Sequence, residues 1–202
     1  MMKEIRPAIV MLVGLTAVTG LIYPLGMTGL GQLLFPYQAN GSLVERDGKV
    51  IGSELLGQNF VDDKYFHGRP SATSGADPED PTKSVSEPYN AANSGGSNLG
   101  PTSRALIDRV AEESAKLKEE NPFLPVPVDL VTTSASGLDP HITPAGALFQ
   151  IPRVAKARGL SEERLRQLVE AKTEERSLGF IGERRVNVLN LNIALDERWP
   201  MK

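Results

Sequence analysis

The stretch PAIVMLVGLTAVTGLIYPLGM, from Pro7 to Met27, decides the architecture of this chain because it is almost wholly apolar and carries no charge. As a helix it would be roughly 31 Å long at about 1.5 Å per residue, which matches the hydrocarbon core of a bilayer. The later sequence is polar enough for water. We therefore predict a membrane anchor in residues 1–38, with its transmembrane helix at about 7–27, followed by a soluble domain in residues 39–202.

A cleaved secretory signal is the alternative for this segment, with Lys3 and Arg6 as its basic start. A signal has a shorter apolar run of about 7–15 residues and a small-residue cleavage site, which Tyr23–Met27 does not offer. We favour a retained anchor. The positive-inside rule then predicts a cytoplasmic N-terminus and an extracytoplasmic domain. The segment TGLGQLLF, Thr28–Phe35, is too short to cross again and is expected at the outer interface or against a partner.

Composition limits the chemistry of the soluble part. The chain has no cysteine, which excludes disulfides, thiolate metal sites and cysteine nucleophiles. Its net charge of −3 provides no basic field for nucleic acid. His67 and His141 have no partner motif and are interpreted as structural rather than metal-binding. Because the sequence lacks a Walker loop, a GxSxG elbow and an SxxK motif, we expect no catalytic residue and a binding or accessory role.

The soluble part is predicted to be one α+β domain of about three helices and four short strands with a small sheet. Pro152 should kink or break the second of these helices. The alternation of RRVNVLNLNIAL is typical of a strand. The expected elements are a hairpin around Asp47-Gly48, a helix at about Ser103–Glu120, a helix from Pro144 capped by Thr143 and ended by Gly159, a last helix from Ser161, and a strand at Arg184–Leu195.

Residues 60–101 are rich in Gly, Pro, Ser, Asn and Asp and show little periodicity, so an ordered irregular loop is expected. Aromatic and arginine side chains are enriched at interface anchors. We predict that the loop docks against a partner, with substitutions there costing stability no more than about 1 kcal/mol. The alternative is that its aromatics fill the domain's own core. The predicted interface residues are Phe60, Tyr65, Phe66, Arg69 and Tyr89.

The glycine-rich stretch SGGSN lies at the end of this loop. Backbone N–H groups of such a stretch can hold an anion, or the stretch can simply form a turn before the next helix. Its members are Ser94, Gly95, Gly96, Ser97 and Asn98.

Several stretches occur in one order over nearly all of the chain and together resemble a known family. They are TGLIYPLGMTGLGQLLFP, GSELLGQNF, YFHGRPSA, YN followed by SGGSNLGPTS, TTSASGLDPHITPAGALFQIPRVAKARGL and RRVNVLNLNIALD. The ordered set is similar to the C subunit (KdpC type) of the bacterial potassium-transporting P-type ATPase.

This resemblance implies a non-catalytic subunit of a four-part complex in the bacterial plasma membrane. The implied partners are a P-type subunit that hydrolyses ATP, a channel-like subunit that passes potassium, and a small single-helix subunit. The resemblance also implies a catalytic chaperone that promotes ATP binding by the hydrolysing subunit, with no tightly bound cofactor of its own but with ATP shared between the two.

Within this family, Leu56-Gly57-Gln58 has been likened to the glutamine-containing nucleotide motif of ABC transporters. Gln58 is thereby the candidate nucleotide contact, together with the SGGSN turn, although LLGQ lacks the serine and second glycine of that motif. ATP is cytoplasmic, whereas the charge bias places Gln58 outside. The alternative is an extracytoplasmic module over the potassium entrance of the channel-like subunit, without nucleotide contact. Both interpretations stay open.

Overall fold

A computed structural model describes residues 2–201, and the chain forms two compact units, Met1–Ser53 and Glu54–Lys202. The first unit begins with α1 (Met2–Ala17), which passes through one π-helical turn (Val18–Ile22) into α2 (Tyr23–Leu34). The helical run Lys3–Leu34 is long and apolar enough to cross a membrane.

The helix is therefore longer than the predicted 7–27 and includes Thr28–Leu34. The location of this segment at the outer interface or against a partner stays a prediction. Glycine is common in membrane helices, so the glycines of TGLGQLL do not end this one. The helix ends where Phe35 leaves helical geometry, at φ −137°. Pro36 follows it, and the residue before a proline is disfavoured in the α region.

The π-helical turn lies just before Pro24, which has no N–H and whose ring crowds the carbonyl four residues earlier. Tyr23 donates its N–H to the carbonyl of Val18, five residues back. Widening one turn in this way lets an apolar helix continue past a proline.

A short helix, α3 (Pro36–Ala39), leads into an antiparallel hairpin of β1 (Leu43–Arg46) and β2 (Lys49–Ser53). Asp47 and Gly48 form its turn with φ of +52° and +74°, as the Asp-Gly signal predicts. The hairpin belongs to the same compact unit as the long helix, so that unit extends past residue 38.

The second unit combines helices with small antiparallel sheets, which confirms the α+β class. A three-stranded sheet has the order β5-β7-β6, and a separate hairpin joins β3 to β4. The elements described in this unit are β3 (Ser74–Ala76), β4 (Ser84–Ser86), α4 (Arg104–Glu120), a 3₁₀ turn (Val128–Leu130), β5 (His141–Ile142), α5 (Pro144–Arg158), α6 (Glu162–Ala171), β6 (Thr173–Glu174), β7 (Arg185–Asn187) and α7 (Val188–Arg198).

The boundaries of α5 follow from its caps, as predicted. The Thr143 hydroxyl accepts the N–H of Gly146 at 3.0 Å, and Gly159 ends the helix at φ +64°. Pro152 does not break α5, which is continuous over its whole length. Buried Phe149 and Ile151 hold that part of the helix against the core despite the hydrogen bond lost at the proline.

The strand predicted over Arg184–Leu195 is wrong beyond Asn187, because α7 begins there and adds a fourth helix. The Asn187 side chain accepts the N–H of Asn190 at 3.1 Å and so caps the helix. Val188, Leu191 and Leu195 are all buried and recur at helical spacing. Over a short stretch the same apolar residues also fit the period of two that is typical of a strand. The Asn187 cap decides in favour of the helix.

The core of the second unit is formed by α5, α6, α7 and β7, together with Phe66 from the irregular loop. Two buried amides hold that loop. Asn192 accepts the N–H of Phe66 at 2.9 Å and donates to its carbonyl at 2.9 Å. Gln150 does the same to His67, accepting at 2.8 Å and donating at 3.1 Å. These amide clamps bind two successive residues of the loop to two different helices.

Replacing Asn192 by Ala should lower the free energy of unfolding by roughly 2–4 kcal/mol, because two buried backbone groups of Phe66 lose their partners. The control is Asn190→Ala on the same helix, whose half-buried amide donates to the Glu54 side chain at 3.2 Å and should matter by about 1 kcal/mol or less. Urea unfolding of the detergent-solubilised chain can be followed by Trp199, the single tryptophan. Equal urea midpoints for Asn192→Ala and Asn190→Ala would contradict the conclusion that Asn192 holds the loop.

Candidate functional site

A cleft of about 410 Å³ lies between α4 and the irregular loop. One side is formed by α4, the other by loop residues that include three of the predicted interface positions, and the base by α5. The lining residues used below are Phe60, Arg69 and Tyr89 of the loop, Glu113, Lys116 and Glu120 of α4, and His67, Gln150 and Arg153 at the base.

Arg153 ties the base of this cleft together. Its guanidinium donates to the carbonyls of Asp63 at 2.7 Å and Tyr65 at 3.1 Å, and to Gln150 Oε1 at 2.7 Å. Its Nε lies 3.3 Å from Glu120 Oε2. Burial lowers the pKa of Arg153, while Glu120 and Asp63 act in the opposite direction. The guanidinium therefore works as a structural cross-link as well as a charge facing the cleft.

His67 lies next to this guanidinium. Its Nε2 is 3.0 Å from the carbonyl of Asp62 and 3.3 Å from Arg153 Nη1, so it can donate to the first or accept from the second, according to its tautomer. Burial, followed by the nearby Arg153 charge, lowers the pKa of His67. The cleft thus holds a histidine that stays neutral at a pH where an exposed imidazole would begin to protonate.

Helix α4 closes the cleft with charges on its inner side and contributes no fully buried residue. Arg109 Nε and Glu113 Oε1 are 4.0 Å apart. Among the described residues, Arg109 Nε, Arg109 Nη2 and Glu113 Oε2 on this helix are shielded from solvent without a hydrogen-bond partner, as is Arg153 Nε at the base. Burial raises the pKa of Glu113. Because α4 has no fully buried residue and α5 has several, this wall of the cleft is held by fewer buried contacts than its base.

The structure gives Tyr65 and Phe66 partners inside the domain. Tyr65 donates to Asp196 Oδ2 at 3.0 Å, and the Arg158 guanidinium lies 4.9 Å from its ring centre. Arg158 also pairs with Asp196 at 2.7 Å. The Phe60 ring lies 5.5 Å from that of Tyr65. Phe66 is 0% exposed and has no surface to offer, so its expected interface role is replaced by a role in the core.

Arg69 and Tyr89 are also engaged internally. Arg69 pairs with Asp139 at 3.1 Å and donates to the carbonyls of Thr132 and Thr133, each at 3.3 Å. The Tyr89 hydroxyl donates to the carbonyl of Arg69 at 2.7 Å, and burial raises the pKa of Tyr89 to about 12. These contacts favour the alternative that the loop is held by the domain itself. Partner docking by Phe60, Tyr65, Arg69 and Tyr89 stays a prediction.

Because its guanidinium joins the loop to Asp139 and two carbonyls, Arg69→Ala should lower the free energy of unfolding by about 2–3 kcal/mol. This loss exceeds the limit expected for a purely external residue. Arg104→Ala, which removes an exposed ion pair with Asp108 on α4, should change it by about 0.5 kcal/mol or less. Both changes in the free energy of unfolding are measured by the same urea titration. If Arg69→Ala lowers it as little as Arg104→Ala does, Arg69 does not hold the loop and is available as a surface residue.

The two candidate nucleotide stretches contact one short segment, residues 136–138, which bends at Gly137. Gly57, just before half-buried Gln58, donates its N–H to the carbonyl of Leu138 at 2.8 Å. Gly95 donates to the carbonyl of Ser136 at 2.9 Å, and the Ser94 hydroxyl donates to the same carbonyl at 3.0 Å. The structure therefore brings the LLGQ and SGGSN stretches to the same strip of chain.

Two of the three glycines in these stretches, Gly57 and Gly96, serve close packing, whereas a Cβ on Gly95 would meet nothing within 4 Å. A Cβ on Gly57 would overlap the Tyr89 ring, and one on Gly96 would come within 2.9 Å of the Ala135 carbonyl. Ser97 lies within hydrogen-bond distance of Thr133, at 3.3 Å, and Asn98 adopts a left-handed φ of +51°.

The hollow beside them, of about 690 Å³, is lined largely by hydroxyls and apolar groups, and its basic side chain, Arg69, is already paired with Asp139. SGGSN thus resembles a packed connection more than an open anion cradle.

Sequence reasoning missed the polar residues that organise the site. These residues come from distant parts of the chain. Only two of them are marked in the sequence, each as a polar residue within an apolar run: the glutamine in ALFQIP and the asparagine in LNIAL. The missed residues are Gln150, Arg153, Arg158, Asn192 and Asp196.

These features define a protein in which one helix able to cross a membrane is joined to a small α+β domain with a polar cleft. The family model described as K+-transporting ATPase, c chain, KdpC, matches residues 5–197. The chain belongs to this family, which confirms the resemblance found in the sequence.

Close relatives span the whole chain. The Potassium-transporting ATPase KdpC subunit of Rhodopseudomonas palustris (strain TIE-1) is 67% identical over 99% of this chain and 100% of its own length. Those of Bradyrhizobium diazoefficiens and Methylobacterium nodulans are 68% and 65% identical, over 97% and 98% of this chain and 98% of their own lengths in both cases.

Proposed function

We propose that this chain is a non-catalytic accessory subunit of an ATP-driven, high-affinity potassium uptake complex, which it helps to assemble and stabilise. The family match over residues 5–197 is the observation that carries this proposal. The proposed partners are the ATP-hydrolysing P-type subunit, the channel-like potassium-translocating subunit, a small single-helix subunit and the bilayer.

The domain is proposed to lie outside the bacterial plasma membrane, with the N-terminus in the cytoplasm. Lys3 and Arg6 at the start of the long helix support this orientation, because basic residues stay on the cytoplasmic side. In this position the domain can act over the potassium entrance of the channel-like subunit. It promotes ATP binding by the hydrolysing subunit through the shared complex, as a catalytic chaperone that does not touch the nucleotide.

The packing of SGGSN supports an action without nucleotide contact. The Gly95 N–H and the Ser94 hydroxyl are both engaged with the Ser136 carbonyl, so neither is free to bind a phosphate in this conformation. Direct ATP contact through Gln58 is the second candidate, favoured by the shared strip of chain that brings the LLGQ and SGGSN stretches together.

The orientation can be tested by cysteine labelling, because the chain has no native cysteine. Val61, three residues after Gln58, is 74% exposed. In spheroplasts, Val61→Cys should react with a membrane-impermeant maleimide, whereas Lys3→Cys, the matched control, should react only after the membrane is opened. The reverse pattern would place the domain in the cytoplasm and revive direct ATP contact.

Nucleotide contact can be tested by titrating labelled ATP into the purified chain. We expect neither saturable binding nor hydrolysis, because the Gly95 N–H and the Ser94 hydroxyl are engaged with the Ser136 carbonyl and no catalytic motif is recognised in the sequence. Saturable binding that Gln58→Ala abolishes and the neighbouring Asn59→Ala preserves would establish the second candidate. Sustained hydrolysis by the purified chain would contradict a non-catalytic subunit.

A further inference from the structure

Three large apolar side chains are exposed together at the end of a loop between β6 and β7. Leu178 is 82% exposed, Phe180 72% and Ile181 52%. We call these three residues the apolar tip. Ser177 and Ile181 exchange two backbone hydrogen bonds, each of 2.9 Å, and so close the loop that carries the tip. The tip is therefore a defined structure whose apolar side chains point into solvent.

The stem below the tip is held by ion pairs. Each of three arginines pairs with a glutamate on the opposite arm of the stem, one arginine on the β6 side and two on the β7 side, so that the positive and negative charges balance. The pairs are Arg176–Glu183 at 2.7 Å, Arg184–Glu175 at 2.8 Å and Arg185–Glu174 at 2.8 Å. The last of them lies on paired strands β6 and β7, which join the stem to the sheet.

The backbone of the tip is also strained. Leu178 has a φ of +55°, a left-handed conformation that costs a bulky residue free energy. Holding a leucine in this conformation while exposing it to water stabilises nothing within the second unit. Strain and apolar exposure at the same residue indicate a surface arranged for a contact outside the unit.

A polar hollow of about 260 Å³ adjoins the base of the stem. Its lining includes Asp139, His141, Glu183, Arg184 and Arg185. An apolar projection beside a polar, charged recess has the anatomy of a protein interface, in which apolar anchors are surrounded by a polar rim.

We propose that the apolar tip docks into an apolar groove on the channel-like subunit, over which the domain is proposed to lie, with the hollow receiving polar groups at the edge of that contact. This inference rests on the proposed function. The neutral stem favours a protein over the bilayer, because its three glutamates cancel the attraction that its arginines would have for anionic lipid headgroups. This docking element is separate from the loop of residues 60–101, whose own docking stays a prediction.

The first test uses the assembled complex, purified from membranes through a tag on this chain. The amount of partner subunit that copurifies with the double variant Leu178→Ser/Phe180→Ser should fall about tenfold or more below the wild-type amount, because the anchors are removed. The matched control is Phe123→Ser, another exposed phenylalanine at 91%, which should retain partners as wild type does. Retention by the double variant equal to wild type, or an equal loss for Phe123→Ser, would overturn the inference.

The two proposals fail differently in this test. If the wild-type chain retains no partner subunit, the proposed function fails and the inference with it. If wild type retains its partners and the double variant does as well, the inference alone fails. Near-ultraviolet circular dichroism of each variant, purified alone in detergent, verifies that its fold is intact.

The second test separates a protein partner from the bilayer. Phe180→Cys, labelled with an environment-sensitive fluorophore, reports the surroundings of the tip at a unique site. A blue shift in the assembled complex, with none for the chain alone in phosphatidylethanolamine/phosphatidylglycerol vesicles, is the expected result. The same shift in vesicles without partner subunits would assign the tip to the bilayer and overturn the proposal.

Discussion

The second unit depends on two amide side chains that hold two successive residues of an irregular loop. Asn192 and Gln150 each satisfy both backbone polar groups of one residue, Phe66 and His67, and both amides are buried. A loop with so few periodic apolar residues cannot fold by its own burial. Once its backbone is bound, Phe66 enters the core, and Arg153 can collect the carbonyls that precede it. The cleft exists because these contacts fix one of its walls.

This constraint changes which residues are available to a partner. Aromatic and arginine residues in a loop are typical of interface anchors, but in this loop they satisfy the needs of an element that has no core. Tyr65 and Arg69 serve the domain's own hydrogen bonds and ion pairs. Three exposed apolar side chains are instead grouped in the loop between β6 and β7, above a stem of paired charges and with Leu178 in a left-handed conformation. Composition predicts anchors within the loop of residues 60–101, whereas the exposed fractions of the side chains draw attention to a different loop.

Local signals were sufficient where neighbours along the chain decide the structure. The long apolar helix, the turn at Asp47-Gly48 and the caps at Thr143 and Gly159 depend on residues a few positions apart, and the structure confirms them. α7 was mistaken for a strand because its apolar residues fit both periods. The clamps, the cleft and the Arg158 contacts join residues far apart in sequence, so a local pattern could at most mark Gln150 and Asn192 and could not indicate their partners. The Asn192 bonds, for example, span 126 positions.

An effect on ATP affinity without nucleotide contact has a definite energetic requirement. This chain can shift the hydrolysing subunit toward its ATP-binding state only if it binds the complex more tightly in that state. A tenfold change in affinity requires about 1.4 kcal/mol of such differential binding. Burying a single Leu or Phe side chain contributes about 1.5–3 kcal/mol. An apolar tip that is fully seated in one state of the transport cycle and withdrawn in another would therefore be sufficient for the chaperone effect, through contacts confined to the outer face of the membrane.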